Sequence, residues 1–456
     1  MLVAARRRAK PRRRTEAGLL AMGALVVLSA TLMLSLALTN ALPDHVTEFL
    51  AALLVIAVGA QMVNRWLVPD ADPVIVPVAL FLNGLGYVMI ERGDPNAAGQ
   101  QFTWTVVGLV LYATVLVVVR RSRDLERYRY LTAGCALVLL VAPLLPGIGE
   151  KINGARLWVH FSSIEFQPVE IAKLLLVIFF ASYFIDKREL LTISTRRVGD
   201  RLFPDLRAFG PVVIAGAVAL LIILVEHDIG FSLLLFVVFL VMIWLATGRW
   251  TYVVVGLAVF AMGTFVASHV LGQVNARITD WIDPWAHYYN GTGYQPVQGE
   301  LAFGRGGVFG TGIGFGIAVR PDILPVSSSD YIFAVIGEEL GLVGAAAVVC
   351  CYALIVGAGL RVARRARSEF ARLVAAGLTA TLGLQAFLIM AGNTRLLPLT
   401  GVTLPFVSYG GSSLIANYAL LALLMRISNE GNQAIAEPAT PSWAADAEPT
   451  TATPVP

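Results

Sequence analysis

Two stretches of this 456-residue chain carry residue types at spacings that could do chemistry. The first reads Phe166-Gln-Pro-Val-Glu170-Ile-Ala-Lys173. Pro168 suits the first turn of a helix, where its missing N–H costs little. Glu170 and Lys173 then fall at i and i+3, on one helix face. Opposite charges inside an apolar span are tolerable as a pair facing a bundle interior. Such a pair either holds helices together or forms the polar wall of a cavity for an anionic, lipid-linked substrate. The second stretch reads Arg277-Ile-Thr-Asp280-Trp-Ile-Asp283-Pro-Trp285, then His287, Gly293-Tyr-Gln295, and Ala302-Phe-Gly-Arg305 running into a glycine-rich segment to Gly316. A carboxylate here could act as general base towards a sugar hydroxyl. Guanidinium groups could hold a pyrophosphate leaving group through bidentate hydrogen bonds. Asp280 and Asp283 are the acids at the head of this stretch. The competing structural role for Asp283 is a turn residue before Pro284.

The elements that must position these residues are membrane helices. Apolar residues make up 57% of the chain and charged residues 14%, too few charges to cover a water-soluble surface. The apolar residues fall in blocks long enough to span a bilayer. The sequence therefore predicts an all-α polytopic membrane protein with about twelve spans: 17–40, 46–64, 73–91, 102–119, 128–147, 167–185, 210–225, 229–247, 251–272, 330–357, 371–392 and 405–427. With the N-terminus cytoplasmic, 26 Lys and Arg fall inside and seven outside, with Lys173 within a span. The positive-inside rule demands such an asymmetry. Both termini are then cytoplasmic, and the long polar loop over 273–329 is extracytoplasmic.

Other classes are excluded. The seven basic residues before position 15 precede an apolar block directly, so they read as a membrane anchor flank rather than a nucleic-acid arm. Cys135, Cys350 and Cys351 fall in apolar blocks with no metal or disulfide spacing, and His160, His227 and His269 are scattered. No phosphate-binding G-x-x-x-x-G-K-[ST] loop occurs. No cofactor is implied, and a divalent cation is not readable from the residues. The divisions are a basic tail over 1–16, two helices over 17–70, a membrane domain over 71–430 and a disordered Pro-, Ala- and Thr-rich tail over 431–456.

From about Pro73 to Glu430 the chain resembles the shape, elongation, division and sporulation family of bacteria. The likeness rests on Asn153-Gly-Ala-Arg156, Phe166 to Lys173, Arg277 to Gln295, Asp330-Tyr-Ile-Phe-Ala-Val-Ile-Gly-Glu338-Glu339-Leu-Gly341 and Leu404-Pro-Phe-Val-Ser-Tyr-Gly-Gly-Ser412-Ser413. The last two blocks are highly specific. The resemblance covers ten spans; the two before residue 70 are an addition. It implies a peptidoglycan glycosyltransferase of the bacterial cytoplasmic (inner) membrane, polymerising lipid II beside a class B penicillin-binding transpeptidase. The family pattern has an Asp seven residues before the Gln of Gly-Tyr-Gln. Here that place holds Tyr288, or His287 if one residue is inserted; the acid nearest it is Asp283, so the resemblance implies Asp283 as the first candidate base, with Asp280 and His287 behind it. Glu226-His-Asp228 and Asn393-Thr-Arg395 also depart from the pattern. The substrate-facing residues on this reading are Arg156, Glu170, Lys173, Arg277, Gln295, Arg305, Glu338 and Ser412. Glu338 and Glu339 have a competing role at a helix N-terminus with Ser329 and Asp330, and Ser408 to Ser413 one in close helix packing. The alternative functions are a lipid II flippase and an inactive scaffold that activates a partner synthase.

Overall fold

The computed structural model describes the chain except for residues 1, 43–45, 146–148, 153–154, 162–163, 193–195, 199–200, 204–228, 271, 290 and 437–456. The predicted seventh span and Glu226-His227-Asp228 lie outside the described residues. Nine helices among the described residues are long and apolar enough to cross a membrane. In chain order the helices begin with α1 (Leu2–Thr39), α2 (Val46–Leu67), α3 (Ile75–Gly93), α4 (Pro95–Val118) and α5 (Arg129–Val141). They continue with α6 (Pro168–Asp186), the short α7 (Arg188–Thr192), α8 (Ile229–Thr247) and α9 (Trp250–Val270). Two shorter helices, α10 (Gly272–Ile282) and α11 (Tyr294–Gly306), precede α12 (Ile332–Arg365), α13 (Glu369–Asn393) and α14 (Gly411–Ala436).

Local sequence sets several of these boundaries. Asp94 accepts from the Asn96 and Ala97 N–H groups at 2.9 and 3.2 Å, and Pro95 takes the first helical position of α4. Ser368 caps α13 through the Ala371 N–H at 3.1 Å. Small residues let helices approach: a Cβ on Gly377 of α13 would lie 2.8 Å from Met242 Sδ on α8 and Val177 on α6. Core contacts join α4 to α14, α12 to α13, and α5 to α6. Helix α1 docks on this bundle through α3, and α2 through α1 and α4, with Asn64 donating to Glu16 at 2.6 Å and accepting from the Tyr112 hydroxyl at 2.5 Å.

The structure adds detail to the sequence reading or amends it in several places. The basic N-terminal stretch is helical from Leu2 and continuous with the first apolar span. The last helix runs to Ala436, six residues past the expected boundary at 430. An antiparallel three-stranded sheet of β1 (Gly149–Ile152), β2 (Ala155–Phe161) and β3 (Ile164–Phe166) precedes α6. A further hairpin pairs β4 (Arg196–Val198) with β5 (Arg201–Phe203). The loop over 273–329, expected to be irregular, holds α10 and α11.

The most consequential feature is a break inside α12. Gly341 has φ +68° and ψ −168°, a conformation that side chains exclude. Breaking a helix within a membrane strands backbone groups that must find partners. The glycine-rich loop supplies them. Thr311 and Gly312 N–H groups donate to the carbonyls of Glu338 and Glu339 at 2.9 and 3.0 Å. The Leu342 and Val343 N–H groups donate to the carbonyls of Gly307 and Val308 at 2.9 and 3.2 Å. A Cβ added to Gly314 of the same loop would lie 2.8 Å from that of Ala37, near the end of α1. We call this side of the bundle the loop face.

Candidate functional site

A cavity of about 260 Å³ opens at the loop face. Its walls come from α10, the start of α11, the 330–331 turn ahead of α12, and the 392–401 segment after α13. Arg277, Asp280 and Trp281 all line it. These positions are i, i+3 and i+4, one face of α10. Asp283 follows the helix end and falls off that face. It is exposed, and its Oδ1 accepts the Ala286 N–H at 3.1 Å, the turn role weighed against it above. His287 also lies off the cavity, its Nδ1 3.0 Å from the Asp283 carbonyl.

Four charged side chains converge. Asp280 accepts from the Thr292 hydroxyl at 3.0 Å. Arg277 donates to the Thr400 carbonyl at 3.5 Å. Arg395, at φ +56°, donates to Glu300 at 2.7 Å and receives Trp281 Nε1–H on its carbonyl at 3.1 Å. Asp330 forms the wall ahead of α12. Enclosure raises the Asp330 carboxyl pKa to about 6, against the opposing pull of the Ser329 hydroxyl and the Arg277 charge. The Tyr331 hydroxyl is buried without a hydrogen-bond partner, and so is that of Thr400. Gln295 completes the polar lining. Among the described residues no group of three His, Cys, Asp or Glu side chains converges as a metal site.

The other predicted site residues whose side chains are described lie elsewhere. Arg305 pairs with Glu338 at 2.5 Å, and Glu338 also accepts the Ala318 N–H at 2.7 Å. Glu339 accepts the Gly314 N–H at 3.0 Å and stands 3.5 Å from Arg92. This cluster ties the glycine-rich loop to the broken α12, so those glycines serve close backbone approach. Ser412 accepts the Gln167 N–H at 2.9 Å at the start of α6. Arg156 lies on β2. Glu170 and Lys173 are fully buried and paired. Lys173 also donates to Gln385 at 2.7 Å, Gln385 donates to the Thr403 carbonyl at 2.9 Å, and Thr403 reaches Ser413 at 2.7 Å. The pair thus joins a polar chain linking α6, α13 and α14, away from the cavity.

Asp330, Tyr331 and Arg395 are the cavity residues that sequence reading did not single out for chemistry. Asp330 opened a recognised motif but read as a capping residue, and Arg395 was noticed only as a departure from a pattern.

A largely helical membrane bundle with a charged cavity at one face defines a polytopic membrane protein with a candidate site at its loop face. The chain belongs to the cell cycle protein family of FtsW, RodA and SpoVE, whose family model matches residues 85–433. It is 41% identical over 429 residues to the peptidoglycan glycosyltransferase RodA of Mycobacterium tuberculosis, covering 92% of this chain and 91% of that one. It is 34% identical over 368 residues to a probable peptidoglycan glycosyltransferase FtsW of Geobacter sulfurreducens, covering 78% of this chain and 95% of the relative. Among solved structures it resembles a chain of a peptidoglycan synthase complex described as coordinating polymerization and crosslinking. That match has a TM-score of 0.63 and 25% identity, and covers 80% of this chain and 99% of the other.

Proposed function

We propose that this protein is a peptidoglycan glycosyltransferase that polymerises lipid II into glycan strands at the outer face of the bacterial cytoplasmic membrane. The observation that carries the reading is the loop-face cavity, where Arg277 and Arg395 meet Asp280 and Asp330. Glycosyl transfer needs an acceptor hydroxyl to attack an anomeric carbon carrying pyrophosphate. Pyrophosphate is a good leaving group, so the protein must position the acceptor, take up its proton and neutralise departing charge. Arg277 and Arg395 suit the last task, in place of the expected Arg305, which Glu338 engages. Asp280 and Gln295 hold acceptor hydroxyls. Of the three loop candidates for a functional acid or base, Asp280 has the geometric support; Asp283 and His287 stand outside the cavity.

The loop face is extracytoplasmic and both termini are cytoplasmic on this reading, following the charge asymmetry. Linear glycan must then be crosslinked, so a class B penicillin-binding transpeptidase is the partner. A flippase would need a polar path through the bundle. The buried Glu170–Lys173 pair, hydrogen-bonded onward to Gln385, favours a structural role instead. Purified protein incubated with lipid II, with products resolved by gel, tests the proposal. Glycan ladders are expected, and their absence in the parent protein would favour the scaffold reading.

A further inference from the structure

The two most specific sequence blocks, Asp330 to Gly341 and Leu404 to Ser413, meet in space at the 328–331 turn. The Ser408 hydroxyl donates to the Ser329 carbonyl at 2.6 Å, and the Tyr409 N–H donates to the Ser328 carbonyl at 2.9 Å. Ser408 in turn accepts the Leu404 N–H at 2.9 Å, which fixes its rotamer. From α13, Asn393 donates to the Asp330 carbonyl at 2.6 Å and accepts the Ala334 N–H at 3.1 Å. Two separate parts of the chain therefore hold the backbone at and just ahead of Asp330, Asn393 at its own carbonyl and the 404–409 segment at Ser328 and Ser329, and the Asp330 side chain forms a cavity wall. Pure packing does not call for a carboxylate there. A carboxylate held on rigid elements against an enclosed polar cavity is instead the arrangement that proton transfer requires.

We propose that Asp330 is the group that takes the proton from the attacking hydroxyl, with Asp280 holding the acceptor rather than deprotonating it. The assignment rests on the glycosyltransferase reading above. As the acceptor oxygen bonds to the anomeric carbon, its proton passes to the Asp330 carboxylate. The bond from that carbon to the pyrophosphate oxygen breaks, and its electron pair leaves with the pyrophosphate. Asp330 then releases the proton to water, so no other reactant is needed. The charged and titratable groups around it are Arg277 and Asp280 from α10, Arg395 from the 392–401 segment and the adjoining Tyr331. Tyr331 senses both acids and its hydroxyl is pushed up by burial, so it stays neutral and can donate. A carboxyl titrating near 6 is ionised at neutral pH yet basic enough to accept a proton.

The experiment follows glycan formation by the full-length protein from lipid II between pH 4.5 and 9. The parent should lose rate as pH falls through about 6. Asp330→Asn should polymerise about 10²–10⁴-fold more slowly, lose that acid limb and still bind labelled lipid II. Asp280→Asn should keep the limb at a reduced rate. Should Asp330→Asn fail to fold, Arg277→Gln serves: removing a positive charge beside a carboxylate raises its pKa, so the limb must move to higher pH. The assignment is overturned by an Asp330→Asn protein within tenfold of the parent, by a limb lost in Asp280→Asn, or by an unshifted limb in Arg277→Gln. A parent that makes no glycan at any pH overturns the glycosyltransferase reading itself.

Discussion

Arg277, Asp280 and Trp281 reach the cavity because α10 is helical and puts them on one face, and Asp283, six residues on from Arg277, falls off that face. The ranking of the loop acids follows from this geometry. Asp280→Asn keeps the shape but removes a charged acceptor, an interaction worth about 1.5–3 kcal/mol. Lipid II polymerisation should therefore drop by roughly tenfold to a hundredfold, while Asp283→Asn should stay within about threefold, losing one exposed turn contact. Equal losses in the two variants, read from initial rates of glycan formation, would contradict the placement. Within the bundle, Glu170 and Lys173 are both fully buried. Lys173→Met leaves an uncompensated buried carboxylate at a cost of roughly 3–5 kcal/mol. Glu170→Gln combined with Lys173→Met leaves none. Thermal unfolding in detergent should show the single variant less stable than the double, and the reverse order would remove the ion pair from the account.

At the scale of elements, the broken α12 and the glycine-rich loop are one device. Gly341 adopts a conformation restricted to glycine, and an added Cβ would sit 2.3 Å from the Gly310 nitrogen. Gly341→Val should cost roughly 1–3 kcal/mol in backbone strain alone, with the steric clash added. Because the loop also carries Gly314 N–H to Glu339, the Glu338–Arg305 contact should loosen with it. A fall in folded yield together with new protease cleavage between residues 306 and 318 is the expected outcome. A variant that folds and resists protease like the parent would show that the loop does not depend on the break. The run of glycines is visible in the sequence, but their partner is not. Their actual service to stranded carbonyls became visible only when a segment 30 residues away was brought beside them.

For the whole molecule, the prediction is orientation. A single cysteine placed at Thr292, in a chain whose Cys135, Cys350 and Cys351 have been replaced, should react with a membrane-impermeant reagent in intact cells. Thr292 lines the cavity mouth and is exposed. Labelling only after permeabilisation would place the cavity in the cytoplasm and end the glycosyltransferase reading. What the sequence by itself determined was the solvent: blocks of apolar residues and the uneven distribution of Lys and Arg specify a helical membrane bundle, since each rule acts on the local segment. It also located Arg277, Asp280 and Gln295, whose types stand out within a polar stretch. Only the tertiary structure decided that Asp330 and Arg395 complete the cavity and that Arg305 does not. A site's membership depends on which faces of distant segments meet, and that is set by the summed packing of α10, α12 and α13 rather than by any one of them.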